Sequence, residues 1–242
     1  MNPKVSFIIP ALNEEKSIPA LINNIKKLDK ICKYEIIVAD DNSTDQTRET
    51  AEMMGAAVVR TRKDALKTIA SVRNTGASLA SGEIFIFCDA DTVIHDPNKF
   101  LSEILLVFEN QEIVGGAPCI IISPDETTRT DKISHFFINN IIRLSFKTKI
   151  PLCGGQCQVV RGSSFRQING YNENIVHTED SDLFSRLSKI GKLYFFPDLV
   201  VYESPRRYRK TGYTVLFLQT VYSHVCRLIF RKNAFKEWKK ID

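Results

Sequence analysis

The first 95 residues alternate between short, largely apolar runs and longer stretches in which apolar residues recur every three or four positions. The apolar runs lie at residues 5–10, 35–40, 56–61 and 84–89. Such runs predict strands that are buried on both faces of a sheet. The periodic stretches at 14–28, 45–54 and 65–80 predict helices between these strands. Strands that alternate with helices predict an α/β fold, with a mostly parallel central sheet flanked by helices.

Beyond residue 95 the pattern is less regular. Helices are predicted at 98–110, 132–147 and about 179–189, with a strand inside 113–123 and two short strands near 194 and 200. The segment 152–162 is rich in glycine and suggests only short strands. We therefore expect one domain at residues 1–205, with a regular first half at 1–95 and a more irregular second half at 96–205.

The remaining segment, 206–242, differs in charge from the rest of the chain. It holds ten Lys or Arg residues and two acidic ones, whereas the whole chain has a formal charge of +5. This asymmetry indicates an anionic neighbour, such as phosphate groups or an acidic membrane surface. Residues 213–230 show a broad apolar face, which fits either a helix packed on the core or a basic amphipathic helix at a membrane. No nucleic-acid-binding module accompanies the charge, so nucleic acid is not expected as a partner.

Cysteine usage and hydropathy indicate the compartment. Six scattered cysteines show no zinc-site spacing, which is typical of reduced thiols in a cytosolic protein. The N-terminal residues lack the features of a signal peptide, and no stretch of about 18 uncharged apolar residues predicts a spanning helix. We expect a cytoplasmic protein whose basic segment allows contact with the inner face of the membrane.

Polar sequences mark the ends of three predicted strands. They read PALNEE at the first strand, DDNSTD at the second and DAD at the fourth. Open parallel sheets bind ligands beyond the carboxyl ends of their strands. The sequence therefore predicts a ligand site at this edge of the sheet.

Asp89 and Asp91 stand two positions apart at the end of the fourth strand. Alternate residues of an extended segment point the same way, so both carboxylates can reach one divalent cation such as Mg²⁺ or Mn²⁺. Taken alone, the pair fits two other interpretations. It resembles the nucleophile and acid of a haloacid-dehalogenase-like phosphatase, and it is also an ordinary polar end of a buried strand.

Other polar residues combine a structural interpretation with a functional one. Asp41 suits recognition of a base or a ribose hydroxyl at a strand end. Arg73 is either exposed or directed toward a base or phosphate. Glu179 and Asp180 either complement a helix N-terminus or include a general base. The segment 204–213 is a solvated basic loop or a clamp on diphosphate or on a phosphorylated acceptor.

Five segments occur in a fixed order along the chain: SFIIPALNEE, VADDNSTDQT, SVRNTGASLASGEIFIFCDADT, GGQCQVVRGSSFRQINGYNE and TEDSDLFSRLSKIGK. Together they span roughly residues 4 to 195 and resemble the family 2 glycosyltransferases of the GT-A fold. The resemblance implies a single GT-A domain, in which residues 1–95 bind the nucleotide and residues 96–205 face the acceptor. It implies metal-dependent, inverting transfer of one sugar from a nucleotide diphosphate sugar to an acceptor hydroxyl or phosphate, in glycan, glycolipid or cell-envelope synthesis. UDP is favoured because it is the commonest donor nucleotide in the family.

The resemblance also implies roles for individual residues. Asp180 would be the general base that deprotonates the acceptor. Asp89 and Asp91 would hold Mg²⁺ or Mn²⁺, with Asp91 as the more direct ligand. Asp41 would contact the base, with Arg73 nearby. The expected donor-binding residues are Pro10, Asn13, Glu14, Asp41, Arg73, Asp89, Ala90, Asp91, Gly155, Glu179, Arg206 and Arg207.

The chain departs from the family pattern in two respects. It lacks the QxxRW-type motif of processive synthases, which implies non-processive transfer, and no third protein ligand for the metal is evident. Among the alternatives, a phosphatase leaves the first 80 residues unexplained. A nucleotidyltransferase is expected to have a glycine-rich turn after the first strand, whereas this chain has PALNEE there. A binding protein without catalysis is expected to have lost Asp89, Asp91 or Asp180, and all three are present.

Overall fold

A computed structural model describes residues 4–29, 31–62, 66, 68–230 and 232–235. Its strands are β1 (Val5–Ala11), β2 (Tyr34–Asp40), β3 (Ala57–Arg60), β4 (Ile84–Cys88), β5 (Val93–Ile94), β6 (Ile113–Ile122), β7 (Cys157–Arg161) and β8 (Lys192–Glu203). Its helices are α1 (Ile18–Ile25), α2 (Thr47–Met53), α3 (Ile69–Leu79), α4 (Pro97–Val107), α5 (Arg129–Ser145), α6 (Gly162–Gln167), α7 (Glu179–Leu187), α8 (Arg206–Thr211) and α9 (Tyr213–Val225). A π-helical turn, Cys226–Phe230, continues α9.

These strands form one sheet in the order β3-β2-β1-β4-β7-β6-β8-β5. Strands β1 to β4 are parallel to one another, as the alternating pattern of the first half predicts. In the second half, β7 runs antiparallel to both β4 and β6, whereas β6 and β8 are parallel. The predicted single α/β domain with a mostly parallel sheet is therefore confirmed, and the reversed strand β7 joins its two halves.

Strands β1 and β4 are buried along their whole length, which explains their largely apolar sequences. Phe7 and Ile9 pack in one cluster with α1 and α4, while Ile8 packs in a second cluster with α3 and α7. Helix α3 comes especially close to the sheet, because a Cβ atom at Gly76 would lie 2.6 Å from Ile8 Cγ2. This close approach places Arg73, one turn earlier on α3, beside the carboxyl ends of the strands.

The second half corrects one prediction of the sequence. The two short strands expected near residues 194 and 200 are a single strand, β8. Its pairing with β6 shifts between Pro118–Phe196 and Cys119–Val200, so residues 197–199 bulge out of the ladder. The prediction is wrong because this bulge interrupts the apolar pattern that identifies a strand. The pattern also does not predict the short elements β5 and α6.

Helix starts differ from their predicted positions. Helix α1 begins at Ile18 instead of residue 14, with Pro19 in its first turn, where a missing N–H costs nothing. Residues 12–17 thereby become a loop at the sheet edge. The predicted start of the third helix at residue 65 lies outside the described residues, and α3 begins at Ile69 after the N-cap Thr68.

The C-terminal segment lies against α5 through polar contacts. Asp131 of α5 accepts from Arg209 at 2.5 Å and from the Tyr213 hydroxyl at 2.7 Å. Tyr208 stacks on Tyr213, and His135 of α5 packs edge-on against both rings. Residues 231 and 236–242 of the predicted basic segment lie outside the described residues. In the part of the chain that the structure describes, no helix is long and apolar enough to cross a bilayer.

Candidate active site

A cleft of about 340 Å³ opens at the carboxyl ends of β1, β2 and β4. Its lining is Pro10, Ala11, Leu12, Glu14, Asp41, Thr68, Ile69, Val72, Arg73, Asp89, Ala90, Asp91, Gly155, Gln156, Glu179, Asp180, Glu203, Ser204, Arg206 and Arg207. Every residue predicted for the site lines this cleft except Asn13. The structure therefore brings together residues that lie as much as 197 positions apart in the chain.

Asn13 connects two loops at the rim of the cleft. Its backbone is left-handed, with φ 52°. Its N–H donates to Ser43 Oγ at 2.9 Å, and its side-chain oxygen accepts from the N–H of Thr44 at 2.8 Å. These bonds hold the loop after β1 against the loop after β2. Asn13 thus shapes the entrance without lining the cavity.

Asp40 and Asp41 divide two tasks at the end of β2. Asp40 is fully buried and accepts from the N–H of Ser43, which closes the turn. Asp41 lines the cleft, and its Oδ1 accepts from Thr61 Oγ1 at 2.6 Å. Asn42 donates to the same hydroxyl. The residue that faces a ligand is therefore Asp41, held in place by the end of the neighbouring strand.

The guanidinium of Arg73 lies at the centre of the cleft wall, with only 2% of its side chain exposed. Its Nη1 donates to Asp180 Oδ1 at 2.6 Å and to Glu179 Oε1 at 3.2 Å. Its Nη2 donates to Asp89 Oδ1 and to the carbonyl of Gly155, each at 3.0 Å. Arg73 is thus neither exposed nor free in the cleft. It joins the end of β4 to the start of α7 and to the loop before β7.

The carboxyl groups of Asp89, Glu179 and Asp180 all contact the one guanidinium of Arg73. Ionising all three would place more negative charge in the cleft than Arg73 neutralises. Burial raises the pKa of Glu179 well above its usual value, and Asp180 adds to the shift while Arg73 opposes it. Burial likewise raises the pKa of Asp89 to about 6, against the attraction of Arg73 and with repulsion from Asp91. Burial therefore favours the protonated form of Glu179, which limits the negative charge around the guanidinium.

Asp180 is held in one orientation by two polar neighbours, Arg73 and Gln158. Its Oδ1 accepts from Arg73 and also from Gln158 Nε2 at 2.7 Å. The Tyr171 hydroxyl donates to Gln158 Oε1 and thereby fixes the amide orientation. Both bonds to Asp180 use the same oxygen. A Cβ atom at Gly155 would lie 3.0 Å from the other oxygen, Oδ2, so glycine keeps that side of the carboxylate open.

Asp91 lies on the outer side of the cleft and pairs with Arg206. Arg206 Nη2 is 3.0 Å from Asp91 Oδ2 and 3.9 Å from Glu14 Oε2. The side chains of Arg206 and Asp91 are 43% and 34% exposed, so this pair contributes at most about 1 kcal/mol. A divalent cation at Asp91 can therefore displace Arg206 at little cost.

Glu203 is a buried carboxyl group in the cleft that the sequence did not identify. It accepts from Tyr208 Oη at 2.8 Å and from Gln156 Nε2 at 2.9 Å. Burial raises its pKa to about 7, although these two hydrogen bonds oppose the shift. Glu203 ends β8, so it lies at the end of a strand like Asp41 and Asp89. The sequence pattern predicts two short strands in place of β8 and therefore does not mark Glu203 as a residue at a strand end.

Gln158 and Tyr171, which orient Asp180, are also missing from the sequence prediction. Gln158 lies in β7 and Tyr171 in the loop before α7, within segments that carry the family resemblance. Neither residue type carries an obvious catalytic signal. The one local sign is a buried polar residue, Gln158, inside the otherwise apolar run of β7.

The carboxylates of the cleft supply part of the oxygen ligands that Mg²⁺ or Mn²⁺ requires. Among the described residues, no group of three or more His, Cys, Asp and Glu side chains is arranged to hold a metal ion. Asp89 and Asp91 supply two carboxylates, and Arg73 uses only Oδ1 of Asp89. Mg²⁺ is commonly bound by one or two carboxylates together with substrate phosphates and water. The residues present therefore fit a cation that is held jointly with a phosphate-bearing ligand.

Replacing Arg73 by Met tests its role as the shared cation. Arg73→Met leaves clustered carboxyl groups without their counter-charge, so we expect the free energy of unfolding at pH 7 to fall by about 3–5 kcal/mol. Much of this loss should disappear at pH 5, because protonation removes the repulsion between the carboxylates. Urea denaturation at both pH values measures the change. The control Arg48→Met removes an exposed ion pair on α2 and should have little effect. A variant as stable as the wild type at pH 7 would contradict this role.

The raised pKa of Glu203 predicts a pH dependence of stability in the metal-free protein. The folded state holds this proton more tightly than the unfolded chain, so the associated stability is complete below about pH 4 and is lost as pH rises through 7. A pKa raised from 4.5 to about 7 corresponds to about 3 kcal/mol. Glu203→Gln should flatten the decline measured by urea denaturation between pH 4 and 8. Glu109→Gln, at an exposed position after α4, should leave the slope unchanged.

Comparison with known proteins gives the family context. The model of the glycosyl transferase family 2 matches residues 6–168. The dolichol-phosphate mannosyltransferase of Pyrococcus furiosus is 32% identical over 111 residues, which are 44% of this chain and 30% of that protein. The chain thus spans about a third of the length of this curated relative.

Solved structures show the same fold. The mannosyltransferase PcManGT of Pyrobaculum calidifontis, in complex with GDP-Man and Mn²⁺, superposes with a TM-score of 0.74 at 19% identity, over 97% of this chain and 66% of that one. Glucosyl-3-phosphoglycerate synthase of Mycobacterium tuberculosis, in complex with Mn²⁺, UDP and glucosyl-3-phosphoglycerate, superposes with a TM-score of 0.59 at 18% identity, over 93% and 80%. The match to residues 6–168 covers more than half of the sequence, and the resemblance inferred from the five segments is confirmed: this chain belongs to the glycosyl transferase family 2.

Proposed function

We propose that the protein is a non-processive, inverting glycosyltransferase that moves one sugar from a nucleotide diphosphate sugar to an acceptor in glycan, glycolipid or cell-envelope synthesis. The observation that carries this proposal is one cleft, lined by Asp91, in which Asp89 and Asp180 both bind the buried Arg73. A UDP-sugar is the favoured donor. Asp89 on the proposed donor side and Asp180 on the proposed acceptor side both bind Arg73. This arrangement fits a reaction in which two substrates meet.

The donor would lie across the carboxyl ends of β1, β2 and β4. Asp41 accepts from the base or the ribose, while Pro10 and Glu14 form the neighbouring wall. Asp89 and Asp91 would hold Mg²⁺ or Mn²⁺ beside the diphosphate, with Asp91 the more direct ligand. When bound, the cation neutralises the charge that grows on the departing diphosphate. The complexes of the two solved relatives with Mn²⁺ and GDP-Man or UDP support this assignment.

Asp180 would act as the general base. The acceptor oxygen attacks the anomeric carbon from the face opposite the diphosphate, so a new carbon–oxygen bond forms as the bond to the diphosphate oxygen breaks. The acceptor proton passes to Asp180, and the nucleoside diphosphate leaves. Arg73 and Gln158 hold Asp180 through Oδ1, which directs Oδ2 toward the cavity for this proton transfer.

Family membership gives no support to the haloacid-dehalogenase alternative. A nucleotide-sugar-binding protein without catalysis remains the rival that experiments on Asp180 address.

The basic C-terminal segment is proposed to face an anionic membrane surface on the cytoplasmic side. Part of its charge is used internally, since Arg206, Arg209 and Arg227 pair with acidic residues of the domain. The net positive charge of 206–242 would supply the attraction to the membrane.

A nucleotide panel tests donor and metal binding together. UDP, GDP, TDP and their sugars are added with and without Mn²⁺, and the melting temperature is recorded. One nucleotide should stabilise the fold, by about 2.7 kcal/mol at a hundred times its Kd, and Mn²⁺ should be required for most of this effect. Asp91→Asn should lose the Mn²⁺-dependent part while retaining the fold. The proposal fails if no nucleotide diphosphate gives metal-dependent stabilisation.

Asp180→Asn separates binding from chemistry. The variant should keep the nucleotide-dependent stabilisation, because Asp41, Asp89 and Asp91 are intact. Slow hydrolysis of the donor, in which water replaces the acceptor, should fall by about a hundredfold or more. Asp182→Asn is the matched control on α7, since Asp182 pairs with Arg186 outside the cleft. Undiminished hydrolysis by Asp180→Asn would remove Asp180 as the base.

A further inference from the structure

A second cavity of about 300 Å³ lies between α5 and α9. Its walls are largely apolar and include Ile138, Ile141, Ile142, Leu152, Leu216 and Phe217. Its inner end is shared with the donor cleft, because Gly155, Gln156, Glu179, Asp180 and Arg207 line both cavities. We call this second cavity the α5–α9 groove. It leads from the surface of the two helices to the carboxylate proposed as the base.

Helix α5 has its polar side inward and its apolar side outward. The residues it buries are Asp131, His135, Asn139 and Ser145. The large apolar residues it exposes are Ile133, Phe136, Phe137, Ile141 and Leu144, each at least 46% exposed. A helix of a water-soluble protein normally buries its apolar stripe. The reversed polarity of α5 indicates that its outer face meets an apolar environment.

Helix α9 repeats this arrangement on the other side of the groove. Ser223 is buried, whereas Val215, Phe217, Leu218, Val221 and Tyr222 are exposed. The apolar surface continues into the π-helical turn, where Ile229 is 69% exposed. Both walls of the groove therefore present apolar side chains at its outer mouth.

The charges around the mouth have one sign. Residues 132–150 contain Lys132, Arg143, Lys147 and Lys149 and no acidic residue, and residues 213–235 contain no acidic residue either. Apolar helices bordered by lysine and arginine fit the interface of a bilayer that contains anionic lipids. A second copy of this face would bring like charges together.

Arg207 supplies a cation at the inner end of the groove. It lines both cavities, and its Nε is buried without a hydrogen-bond partner. Within the described residues no hydrogen bond or ion pair is made by its guanidinium, in contrast to Arg206 and Arg209. An unpaired guanidinium at the end of an apolar groove fits the phosphate of an amphiphilic ligand.

We propose that the α5–α9 groove binds the hydrocarbon chain of a membrane lipid acceptor, whose phosphate meets Arg207 and whose acceptor hydroxyl meets Asp180. The outer faces of α5 and α9 lie in the bilayer interface, so the acceptor enters the groove without leaving the membrane. This inference rests on the proposed transferase function and specifies its acceptor class.

Binding of dodecyl phosphate, below its micelle concentration, tests the groove directly. It should raise the melting temperature of the wild type, whereas inorganic phosphate at the same concentration should not. Thr220→Trp places a large side chain at an exposed groove position and should weaken dodecyl phosphate binding at least about tenfold. The matched control Thr214→Trp lies on α9 outside the groove lining and should bind normally. Equal binding by both variants would overturn the proposal.

Co-sedimentation with vesicles tests the outer faces. The wild type should bind vesicles of phosphatidylcholine with phosphatidylglycerol more tightly than vesicles of phosphatidylcholine alone. Phe137→Glu on α5 and Leu218→Glu on α9 should each weaken this binding at least about tenfold. Both side chains are 59% exposed, so the fold should tolerate the changes. Leu106→Glu, at a 66% exposed position of α4, is the control.

The outcomes separate this proposal from the transferase function. Metal-dependent stabilisation by a nucleotide without any dodecyl phosphate binding would leave the transferase intact and overturn the lipid acceptor. Dodecyl phosphate binding without any stabilisation by a nucleotide would support the lipid site and contradict the transferase function. A dimer in light scattering that Phe137→Glu dissociates would show that a second copy covers these faces, and would overturn the membrane assignment.

Discussion

The interaction on which the rest of the site depends is the buried guanidinium of Arg73. It reaches the end of β4, the start of α7 and the loop before β7, three segments that lie far apart in the sequence. Burying a guanidinium away from water costs free energy, and so does burying the carboxylates that surround it. The guanidinium and the carboxylates can be buried only because they compensate each other's charge. The same contacts that stabilise this pocket therefore hold these three parts of the chain in one geometry.

Much of this site follows from the strand-end rule. The sequence predicts Asp41, Asp89 and Asp91 because β2 and β4 are largely apolar runs that stop abruptly at acidic residues. The family resemblance predicts Asp180, because acidic residues open a helix at the matching place in the family order. A parallel sheet brings the three residues at the strand ends to one edge.

What the sequence did not reveal depends on contacts between distant segments. The helical period places Arg73 on α3, but nothing nearby shows that its partners lie 106 and 107 positions later. The role of Asn13 depends on a left-handed backbone, and Glu203 was concealed by a bulge. For α5 the apolar spacing predicts a helix correctly. It does not state which side of that helix is inward, and here the ordinary assumption gives the opposite of the observed arrangement.

The pairing of Arg206 with Asp91 has a consequence for the order of events. A cation bound at Asp91 Oδ2 would take the place of Arg206, which opens α8, the short helix that Arg209 fastens to α5. Under the proposed function, metal binding on the donor side would therefore move α8, whose Arg207 and Tyr208 line the α5–α9 groove. Such coupling would favour a sequence with the donor first and the acceptor second. Acceptors in a membrane would then not occupy the site before there is a sugar to transfer.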